Sequence, residues 1–582
     1  MNTSDPLLPG PPPALPAEAG VAAPALSAAQ AAAEFVAQIF ADVAAPEPAP
    51  AELPAPAQDV AAPVEESPAP AGRPGEGLAP LQGQNILILG LGASGLAMAR
   101  WCVRCGAQVT VADTRVAPPQ LAALQQELPQ VRFVAGAFSA DLVQGQGLHA
   151  VYRSPGLSPA SVAPVFVAAS AVGIRMGGEL SLYSMALDAL RAAHGYAPAV
   201  LAITGTNGKT TVTSLTGQLV ARAGKTVAVA GNIGPTLLDT LAAHIDAGTL
   251  PQVWVLELSS FQLDGVDGFE PTAATVLNIT QDHLDWHGDM QAYAAAKARI
   301  FGQTGRMVLN RDEPLVMQML PEPVRVKLQK PQQRAHTTFG GDMPRCPGDF
   351  GIEMVSGMAW LVRAMESDET RKRGRSEEPE LHIQRLMPAD ALRIRGRHNA
   401  INALAALALA CEAGCALSSM LYGLREYRGE SHRVEPIGMV SGVEYFDDSK
   451  GTNVGATVAA LTGLGADRRI VVILGGEGKG QDFAPLAAPV ACHARAVVLI
   501  GRDAPLIRAA LQDTGVALLD AQTLEQAVPM AAQQAHAGDA VLMSPACASF
   551  DMFRDYAHRA QVFCDAVRTL AHDAGQELEG PQ

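Results

Sequence analysis

The stretch that decides the fold is AVLAITGTNGKTT, residues 199–211. Its first half, Ala199–Thr204, is an apolar run typical of a buried strand, and a helix is predicted from Thr210. A glycine-rich turn between a strand and a helix presents free backbone N–H groups, which bind phosphates. The G-K-T core is that of a P-loop, in which the lysine contacts the terminal phosphates and the hydroxyl meets Mg²⁺. The loop is shorter than G-x-x-x-x-G-K-[ST], because Ile203 stands at the first glycine. We therefore predict a site for ATP.

Apolar runs and helical stretches alternate on both sides of this loop, which is the pattern of parallel sheets. The predicted fold class is α/β, with three domains in series: a Rossmann-like domain, a P-loop ATPase-like central domain and a Rossmann-like C-terminal domain. The predicted boundaries are 82–196, 197–428 and 429–582. Strands are predicted at 85–89, 109–112, 199–204, 253–257, 275–279, 469–474, 496–500 and 540–543.

The N-terminal segment differs from the rest in composition and charge. Of residues 1–80, 41 are Pro or Ala, and this segment carries −9 of the formal net charge of −16. Such a sequence has too few large apolar side chains to offset the entropy lost on ordering. Residues 1–81 are therefore predicted to be a disordered, acidic, Pro/Ala-rich tail.

The composition also excludes several classes of protein. The acidic balance argues against binding to nucleic acid through phosphate contacts. No apolar run approaches the roughly 20 residues that span a bilayer, and no secretory signal is present at the N-terminus. Eight cysteines in 582 residues do not make a disulfide framework, which indicates a reducing compartment. We expect a cytoplasmic protein without nucleic-acid partners or membrane insertion.

Two segments fall outside the domain pattern. Residues 27–43 predict a short amphipathic helix in the tail, which is either transient or a docking helix for another protein. The pattern weakens over 340–388, where a basic run, Arg371–Arg375, adjoins an acidic one, Ser376–Glu380. We expect a solvated loop insertion there.

A first glycine cluster, G-L-G-A-S-G at 90–95, follows a predicted strand and opens a helix. Asp113 lies about 20 residues further on, where a ribose-binding acid would sit in a dinucleotide-binding domain. Taken alone, this pattern favours an NAD-dependent dehydrogenase. The physical requirement is broader, because glycines and a helix N-terminus suit any nucleotide diphosphate, including UDP.

Polar residues after two further strands are candidates for metal binding and catalysis. Glu257 closes the strand 253–257, and an acid at this edge beside a P-loop is well placed for Mg²⁺. His283 follows the next strand among acidic residues, so it is either a ligand or a structural hydrogen-bonding residue. Lys297 has the pattern of an ordinary helix lysine.

Taken together, nine motifs resemble, in order and spacing, the ATP-dependent Mur ligases of peptidoglycan precursor synthesis. The resemblance covers the chain from about Gln82 onward, apart from 340–388. Two of the motifs, at 256–263 and 544–551, are similar to the D-glutamate-adding branch of the family. The motifs are T-G-T-N-G-K-T-T (204–211), L-E-L-S-S-F-Q-L (256–263), N-I-T-Q-D-H-L-D (278–285), A-A-K (295–297), G-R-H-N (396–399), S-H-R (431–433), D-D-S-K-G-T-N (447–453), G-G-E-G-K (475–479) and S-P-A-C-A-S-F-D (544–551).

The resemblance implies a monomeric amide ligase, in which ATP activates the carboxylate of UDP-N-acetylmuramoyl-L-alanine as an acyl phosphate and D-glutamate attacks it. The residues implied to bind ATP are Gly205, Thr206, Asn207, Gly208, Lys209, Thr210, Thr211, Asn399, Arg433 and Asp448. Those implied to bind the UDP substrate, in a UDP-binding first domain, are Ser94, Thr114, Arg115, Ser154 and Asn232. Those implied to bind the amino acid in the C-terminal domain are Thr452, Lys479, Ser549, Phe550 and Tyr556.

The resemblance also implies two Mg²⁺ sites. Their ligands would be Thr210, Glu257, His283 and Lys297, the last as an N-carboxylated (carbamylated) lysine. The implied catalytic residues are Lys209, His283, Lys297 and Lys450.

Three alternatives remain open at this point. The first is a ligase of the same family with another acceptor, such as L-glutamate or a folate-type substrate. The second is an NAD-dependent dehydrogenase, based on the first glycine cluster. The third is a non-catalytic scaffold that acts through its tail helix.

Overall fold

The computed structural model describes residues 80–324, 331–367 and 380–578. The predicted tail helix 27–43 and the basic run 371–375 lie outside the described residues. Leu81, the last residue of the predicted tail, is buried in the apolar core, so the first domain begins before residue 82.

A five-stranded parallel sheet forms the first domain. Its elements are β1 Asn85–Leu89, α1 Ala93–Arg104, β2 Gln108–Asp113, α2 Leu121–Glu127, β3 Arg132–Ala135, β4 Ala150–Arg153, α3 Pro159–Ala171, β5 Arg175–Gly177 and α4 Glu179–His194. The strand order is β3-β2-β1-β4-β5. The first glycine cluster follows β1, and a Cβ at Gly95 would lie 2.0 Å from the carbonyl oxygen of Gly90. Only glycine therefore lets α1 begin this close to the loop.

The central domain is built on a six-stranded parallel sheet. Its elements are β6 Ala199–Thr204, α5 Lys209–Arg222, β7 Val227–Gly231, α6 Leu237–Ala247, β8 Val253–Glu257, α7 Ser260–Leu263, β9 Ala273–Val276, α8 Leu284–His287, α9 Met290–Ala298, β10 Arg306–Asn310, α10 Pro314–Met317 and β11 His336–Phe339, with α11 Arg397–Glu412 and α12 Leu417–Glu426 completing it. The strand order is β11-β10-β9-β6-β8-β7. The P-loop strand β6 thus lies between β9 and β8. It ends at Thr204 and α5 begins at Lys209, which confirms the strand–loop–helix prediction. The strand predicted at 275–279 is displaced: it ends at Val276, and the residues after it form the loop beside the phosphate site.

The expected loop insertion at 340–388 is wrong for the residues that the structure describes. Three antiparallel strands lie there: β12 Phe350–Val355, β13 Met358–Glu366 and β14 Leu381–Pro388. Phe350, Leu361 and Met387 are buried in the same apolar cluster as Leu404 of α11. The small sheet is therefore a packed part of the central domain.

The C-terminal domain has a six-stranded mixed sheet. Its elements are β15 Glu435–Val440, β16 Val443–Asp447, α13 Val454–Leu464, β17 Ile470–Gly475, α14 Ala487–His493, β18 Ala494–Ile500, α15 Ala504–Leu511, β19 Ala517–Asp520, α16 Leu524–Gln534, β20 Ala540–Met543 and α17 Tyr556–Asp573. The strand order is β15-β16-β20-β17-β18-β19, in which β15 is antiparallel to β16 and the other pairs are parallel. The loops after β16, β17 and β20 carry the C-terminal motifs.

Apolar packing connects the first two domains. One continuous cluster of buried side chains runs from Ile86 and Tyr183 of the first domain to Trp254 and Leu309 of the central one. In the described part of the chain, no helix combines the length and apolar character needed to cross a bilayer.

Candidate active site

The phosphate loop is held in place by one residue from the neighbouring strand end. The side chain of Asn278 accepts the backbone N–H of Asn207 (2.8 Å) and donates to its carbonyl oxygen (3.1 Å). Gly208 has φ +81°, a left-handed conformation that glycine adopts without strain. Asn278 lies in a quoted motif, yet sequence reasoning gave it no role. The signal for it was a polar side chain just after a parallel strand.

Lys209 lies within the P-loop that it is predicted to serve. Its Nζ donates to the carbonyl oxygens of Gly205 and Thr206, both at 2.9 Å. Burial lowers the pKa of this amine, and the Glu257 carboxylate opposes the effect. The side chain is therefore positioned at the point where a phosphate would enter the loop.

Glu257 is the strongest candidate for a metal ligand. Its side chain is almost fully buried, and Oε1 accepts a hydrogen bond from Asn232 Nδ2 (2.8 Å). The other oxygen, Oε2, is buried and has no hydrogen-bond partner. The backbone of Gly231 lies close to the backbone of Glu257. Glycine is needed there, because a Cβ would lie 2.2 Å from the carbonyl oxygen of Glu257. A buried carboxylate oxygen without a donor fits a cation ligand.

Lys297 is not the ordinary helix lysine that its sequence suggested. Its side chain is 2% exposed and contacts the P-loop strand, with Nζ donating to Gly205 O (2.9 Å) and Thr204 Oγ1 (3.3 Å). Nζ also lies 4.7 Å from the centre of the Tyr293 ring. Burial, together with the charge on Lys209, lowers the pKa of Lys297 well below its ordinary value.

His283 lies at the same sheet edge in a left-handed backbone conformation, φ +54°. Its ring packs against Phe261 with a centroid distance of 4.7 Å. Burial lowers the pKa of the imidazole, and the neighbouring Asp282 opposes the effect. A histidine that stays neutral presents a nitrogen lone pair, as a metal ligand must.

A cavity of about 1050 Å³ lies between the central and C-terminal domains and is lined by residues of both. Its walls include twelve of the residues predicted to bind ATP, metal, the amino acid or the UDP substrate, or to act in catalysis. These are Thr206, Asn207, Lys209, Thr210, Asn232, Glu257, His283, Arg433, Lys450, Thr452, Lys479 and Tyr556. Residues from motifs that are distant in the sequence therefore line one cavity.

The C-terminal wall of this cavity is basic and aromatic. Lys450 Nζ lies 3.6 Å from the centre of the Tyr556 ring, a cation–π contact. Lys479, in a glycine-rich loop with φ +52°, has its Nζ 5.9 Å from the ring centre of Phe550, which is 65% exposed. Ser549 is buried and does not line the cavity.

The predicted ATP residues of the C-terminal half lie close to the P-loop. Arg433 donates to the hydroxyl of Thr210 (2.6 Å). Asn399 and Asp448 line a second, smaller cavity of about 100 Å³ beside the start of α5. Burial raises the pKa of Asp448 to about 7.

Several residues of the site escaped sequence reasoning. Asn402 lines the small cavity and donates to Asn399 (3.2 Å). Asn453 exchanges hydrogen bonds with Asn207 across the domain boundary. His432 is paired with Asp447 (2.7 Å), a contact that raises the pKa of the imidazole. Asn453 and His432 lay in quoted motifs, but only the folded chain shows their partners.

The first glycine cluster is built differently from a ribose-binding site. Both carboxylate oxygens of Asp113 are engaged, by the backbone N–H of Leu91 (2.8 Å) and by the Arg115 guanidinium (2.8 Å). Arg115 holds the pKa of this carboxyl at about 2. Ser154 follows β4 and lies against the glycine loop, within contact distance of a Cβ built at Gly90. The acid therefore fixes the loop, and the dehydrogenase interpretation loses its ribose ligand.

These features define a class of protein: a three-domain α/β protein with a P-loop in the central domain and a large cavity between that loop and the C-terminal domain. The family model for the Mur ligase MurD-like N-terminal domain matches residues 84–178, that for the Mur ligase middle domain matches 203–410, and that for the Mur ligase glutamate ligase domain matches 432–547. The chain belongs to the Mur ligase family, within its group of UDP-N-acetylmuramoylalanine–D-glutamate ligases.

Individual relatives agree with this assignment. The chain is 72% identical over 500 residues to UDP-N-acetylmuramoylalanine–D-glutamate ligase of Albidiferax ferrireducens, covering 86% of this chain and 99% of the relative. It is 63% identical to the ligase of the same name from a Polaromonas species, covering 86% and 100%. Among solved structures, it is similar to MurF from Acinetobacter baumannii at 16% identity, with a TM-score of 0.49 over 83% of this chain and 93% of that one.

Proposed function

We propose that the chain joins D-glutamate to UDP-N-acetylmuramoyl-L-alanine at the expense of ATP, as a step of peptidoglycan precursor synthesis. The substrate carboxylate takes the terminal phosphoryl group of ATP and ADP is released. The amine of D-glutamate then attacks the acyl carbon, forming the amide and releasing phosphate. The observation that carries this proposal is the single cavity in which Lys209, Glu257 and Lys479 meet. We expect the reaction to take place in the cytoplasm.

The hydrogen bonds that Lys209 makes to uncharged backbone groups support its role in binding phosphate. Its ammonium group donates to two backbone carbonyl oxygens, and a phosphate oxygen is a stronger acceptor for the same donor. A nearby phosphate also favours the charged form of the amine, which burial disfavours. Arg433, which donates to Thr210, would contribute a second cation from the C-terminal domain.

Glu257, Thr210 and His283 would hold a Mg²⁺ ion. The unpartnered Oε2 of Glu257 fits this role, and Asn232 orients the carboxylate through Oε1. When bound, Mg²⁺ would offset the negative charge between the phosphates and the substrate carboxylate.

Lys297 would supply a ligand for a second Mg²⁺ after N-carboxylation. Its lowered pKa favours the neutral amine, which is the form that attacks CO₂; a proton is lost and a carbamate forms. The group then changes from a cation to an oxygen ligand at a buried position beside the phosphate loop.

D-glutamate would enter against the C-terminal wall. Its two carboxylates require donors, and Lys479 and Thr452 line the cavity. Tyr556 begins α17 and holds the Lys450 ammonium over its ring, which orients a cation toward the reacting phosphate. Ser549 and the backbone near Phe550 would complete this subsite.

Ser94, Thr114, Arg115 and Ser154 would bind the UDP part of the substrate in the first domain. Asn232 would contact the same substrate from the central domain, where it lines the large cavity. We expect the chain to act as a monomer.

Phosphate release by purified protein tests the proposal. The assay contains ATP, Mg²⁺ and UDP-N-acetylmuramoyl-L-alanine, with D-glutamate, L-glutamate or no amino acid. We expect release only with D-glutamate and none from a Lys209→Met variant. Equal release with L-glutamate would keep the ligase chemistry and overturn the acceptor. No release with any amino acid would overturn the proposed reaction.

A further inference from the structure

Glu179 is a buried carboxylate that the proposed reaction does not use. It is the first residue of α4 and its side chain is 3% exposed, at the boundary between the first and central domains. A carboxylate in such a place is unfavourable unless several hydrogen-bond donors satisfy it. The groups around Glu179 therefore indicate which parts of the structure it positions.

The groups that interact with Glu179 come from two different domains. In the central domain, the backbone N–H of Leu238 donates to Oε1 (3.1 Å), and the N–H of Leu237 lowers the pKa of the same carboxyl. In the first domain, the hydroxyl of Ser94 acts on the carboxyl in the same direction. Burial raises the pKa of Glu179, and these hydrogen bonds oppose the rise.

On the first-domain side, Ser94 belongs to the glycine cluster that follows β1. It is the second residue of α1, at the helix end where a diphosphate would bind. Its hydroxyl can face a ligand in a defined direction only if a partner fixes its rotamer. Glu179 is such a partner.

On the central-domain side, Leu237 and Leu238 are the first two residues of α6. The loop before α6 carries Asn232, whose amide holds Glu257 in the orientation that leaves Oε2 free. Hydrogen bonds from Glu179 to the start of α6 therefore anchor one end of this loop.

Two ion pairs hold the rest of α6 against α1. Arg100 contacts Asp239 in the first turn of α6 (3.1 Å), and Arg104 contacts Asp246 near its end (2.7 Å). Both pairs are partly exposed, so each contributes little alone. Glu179 is the buried member of this contact between the two domains, and its pKa responds to the predicted ligand-binding residue Ser94.

We propose that Glu179 is a positioning residue for the UDP substrate: it holds the Ser94 hydroxyl and the start of α6 on one carboxylate. The loop that binds the UDP moiety and the loop that carries Asn232 thereby keep one relative position. This inference rests on the proposed function, because it needs a UDP-linked substrate that spans both domains.

The test compares Glu179→Ala and Glu179→Gln with the wild type, using KM for each substrate and the affinity for UDP alone by calorimetry. We expect Glu179→Ala to raise KM for the UDP substrate and Kd for UDP about tenfold, since it removes hydrogen bonds to a charged group. KM for ATP should change much less than KM for the UDP substrate, because Glu179 reaches Glu257 only indirectly, through the loop that carries Asn232. Glu179→Gln keeps one acceptor oxygen and should give a smaller rise. The matched control is Asp188→Asn, an exposed acid on the same helix whose removal should change none of these values.

A double-mutant cycle with Ser94→Ala separates positioning from general stability. If Glu179 acts through Ser94, the double variant loses no more UDP affinity than the worse single variant. Additive losses, or a KM for ATP that rises in parallel with a lower Tm, would overturn the proposal. If Glu179→Ala does not fold, the same cycle with Glu179→Gln decides.

The same measurements distinguish a failure of the proposed reaction from a failure of the proposed role of Glu179. A wild-type protein that binds UDP without D-glutamate-dependent turnover would overturn the reaction, while the UDP titrations still judge Glu179. A wild-type protein that binds no UDP would overturn both.

Discussion

Asn207 of the phosphate loop and Asn453 at the start of α13 exchange two side-chain hydrogen bonds, of 3.2 and 3.1 Å. The two residues are 246 positions apart and belong to different domains. Asn207 is held by Asn278 through its backbone, so the pair ties the C-terminal domain directly to the P-loop. The C-terminal domain therefore contacts the central domain at the phosphate loop itself.

We expect Asn453→Ala to lower kcat and raise KM for D-glutamate, together by about tenfold, because two interdomain hydrogen bonds are lost. Asn453 also caps α13, with its Oδ1 accepting the N–H of Ala456 (2.9 Å). Asn453→Ser keeps a capping oxygen but is too short to reach Asn207. Steady-state kinetics should show equal losses for both variants. Full activity in the serine variant would mean that only the cap matters.

Glu257→Gln should abolish the stabilisation of the protein by Mg²⁺ and ATP together. The substitution keeps the acceptor for Asn232 and removes the unpartnered, charged Oε2. A ligand that binds only the folded state raises Tm with its concentration, so the wild type should show a Mg²⁺-dependent rise in the presence of ATP. Thermal melts over a range of Mg²⁺ concentrations measure both proteins. A variant that responds like the wild type would show that Glu257 is not a ligand.

The sequence was sufficient for the parallel core and for the strand–loop–helix unit that carries the P-loop motif. β1, β6, β8 and β20 begin and end where they were predicted, since each is a short apolar run that is interrupted by glycine, proline or a polar residue. The sheet β12–β14 was missed, because its strands have mixed polarity and a charged segment interrupts them. A solvated insertion and a small sheet that is packed on one face only have similar mixtures of apolar and polar residues along the sequence.

Pairings between distant segments account for the rest of what could not be predicted. Lys297 lies at ordinary helical spacing, and only packing against Gly205 and Tyr293 removes it from water. Asn453 and Glu179 are defined by partners in another domain. No local pattern records such a pair when a single sequence is read.

Lys297→Arg should reduce activity by more than about a hundredfold while the protein stays folded, because a guanidinium stays protonated and forms no stable carbamate. The wild type should lose activity in buffer depleted of CO₂ and recover it when bicarbonate is added. The matched control is Lys225→Arg, at the surface after α5, which should have normal kinetics. An active Lys297→Arg enzyme, or a wild type indifferent to bicarbonate, would exclude carboxylation as a requirement.

Asp448 should make the protein less stable as the pH rises. Burial raises its pKa to about 7 in the folded state, whereas an unfolded aspartate has a pKa of about 3.9. Between these values the folded protein holds a proton that the unfolded chain has released, so the free energy of unfolding falls as the pH increases through this window. Asp448→Asn stays neutral and can still accept the hydrogen bond from Ser544.

Thermal melts should therefore show the Asp448→Asn variant gaining Tm relative to the wild type between about pH 5 and about pH 8. Asp188→Asn, an exposed control, should follow the wild-type profile. A constant difference between Asp448→Asn and the wild type across this range would mean that the Asp448 carboxyl is already charged at pH 5.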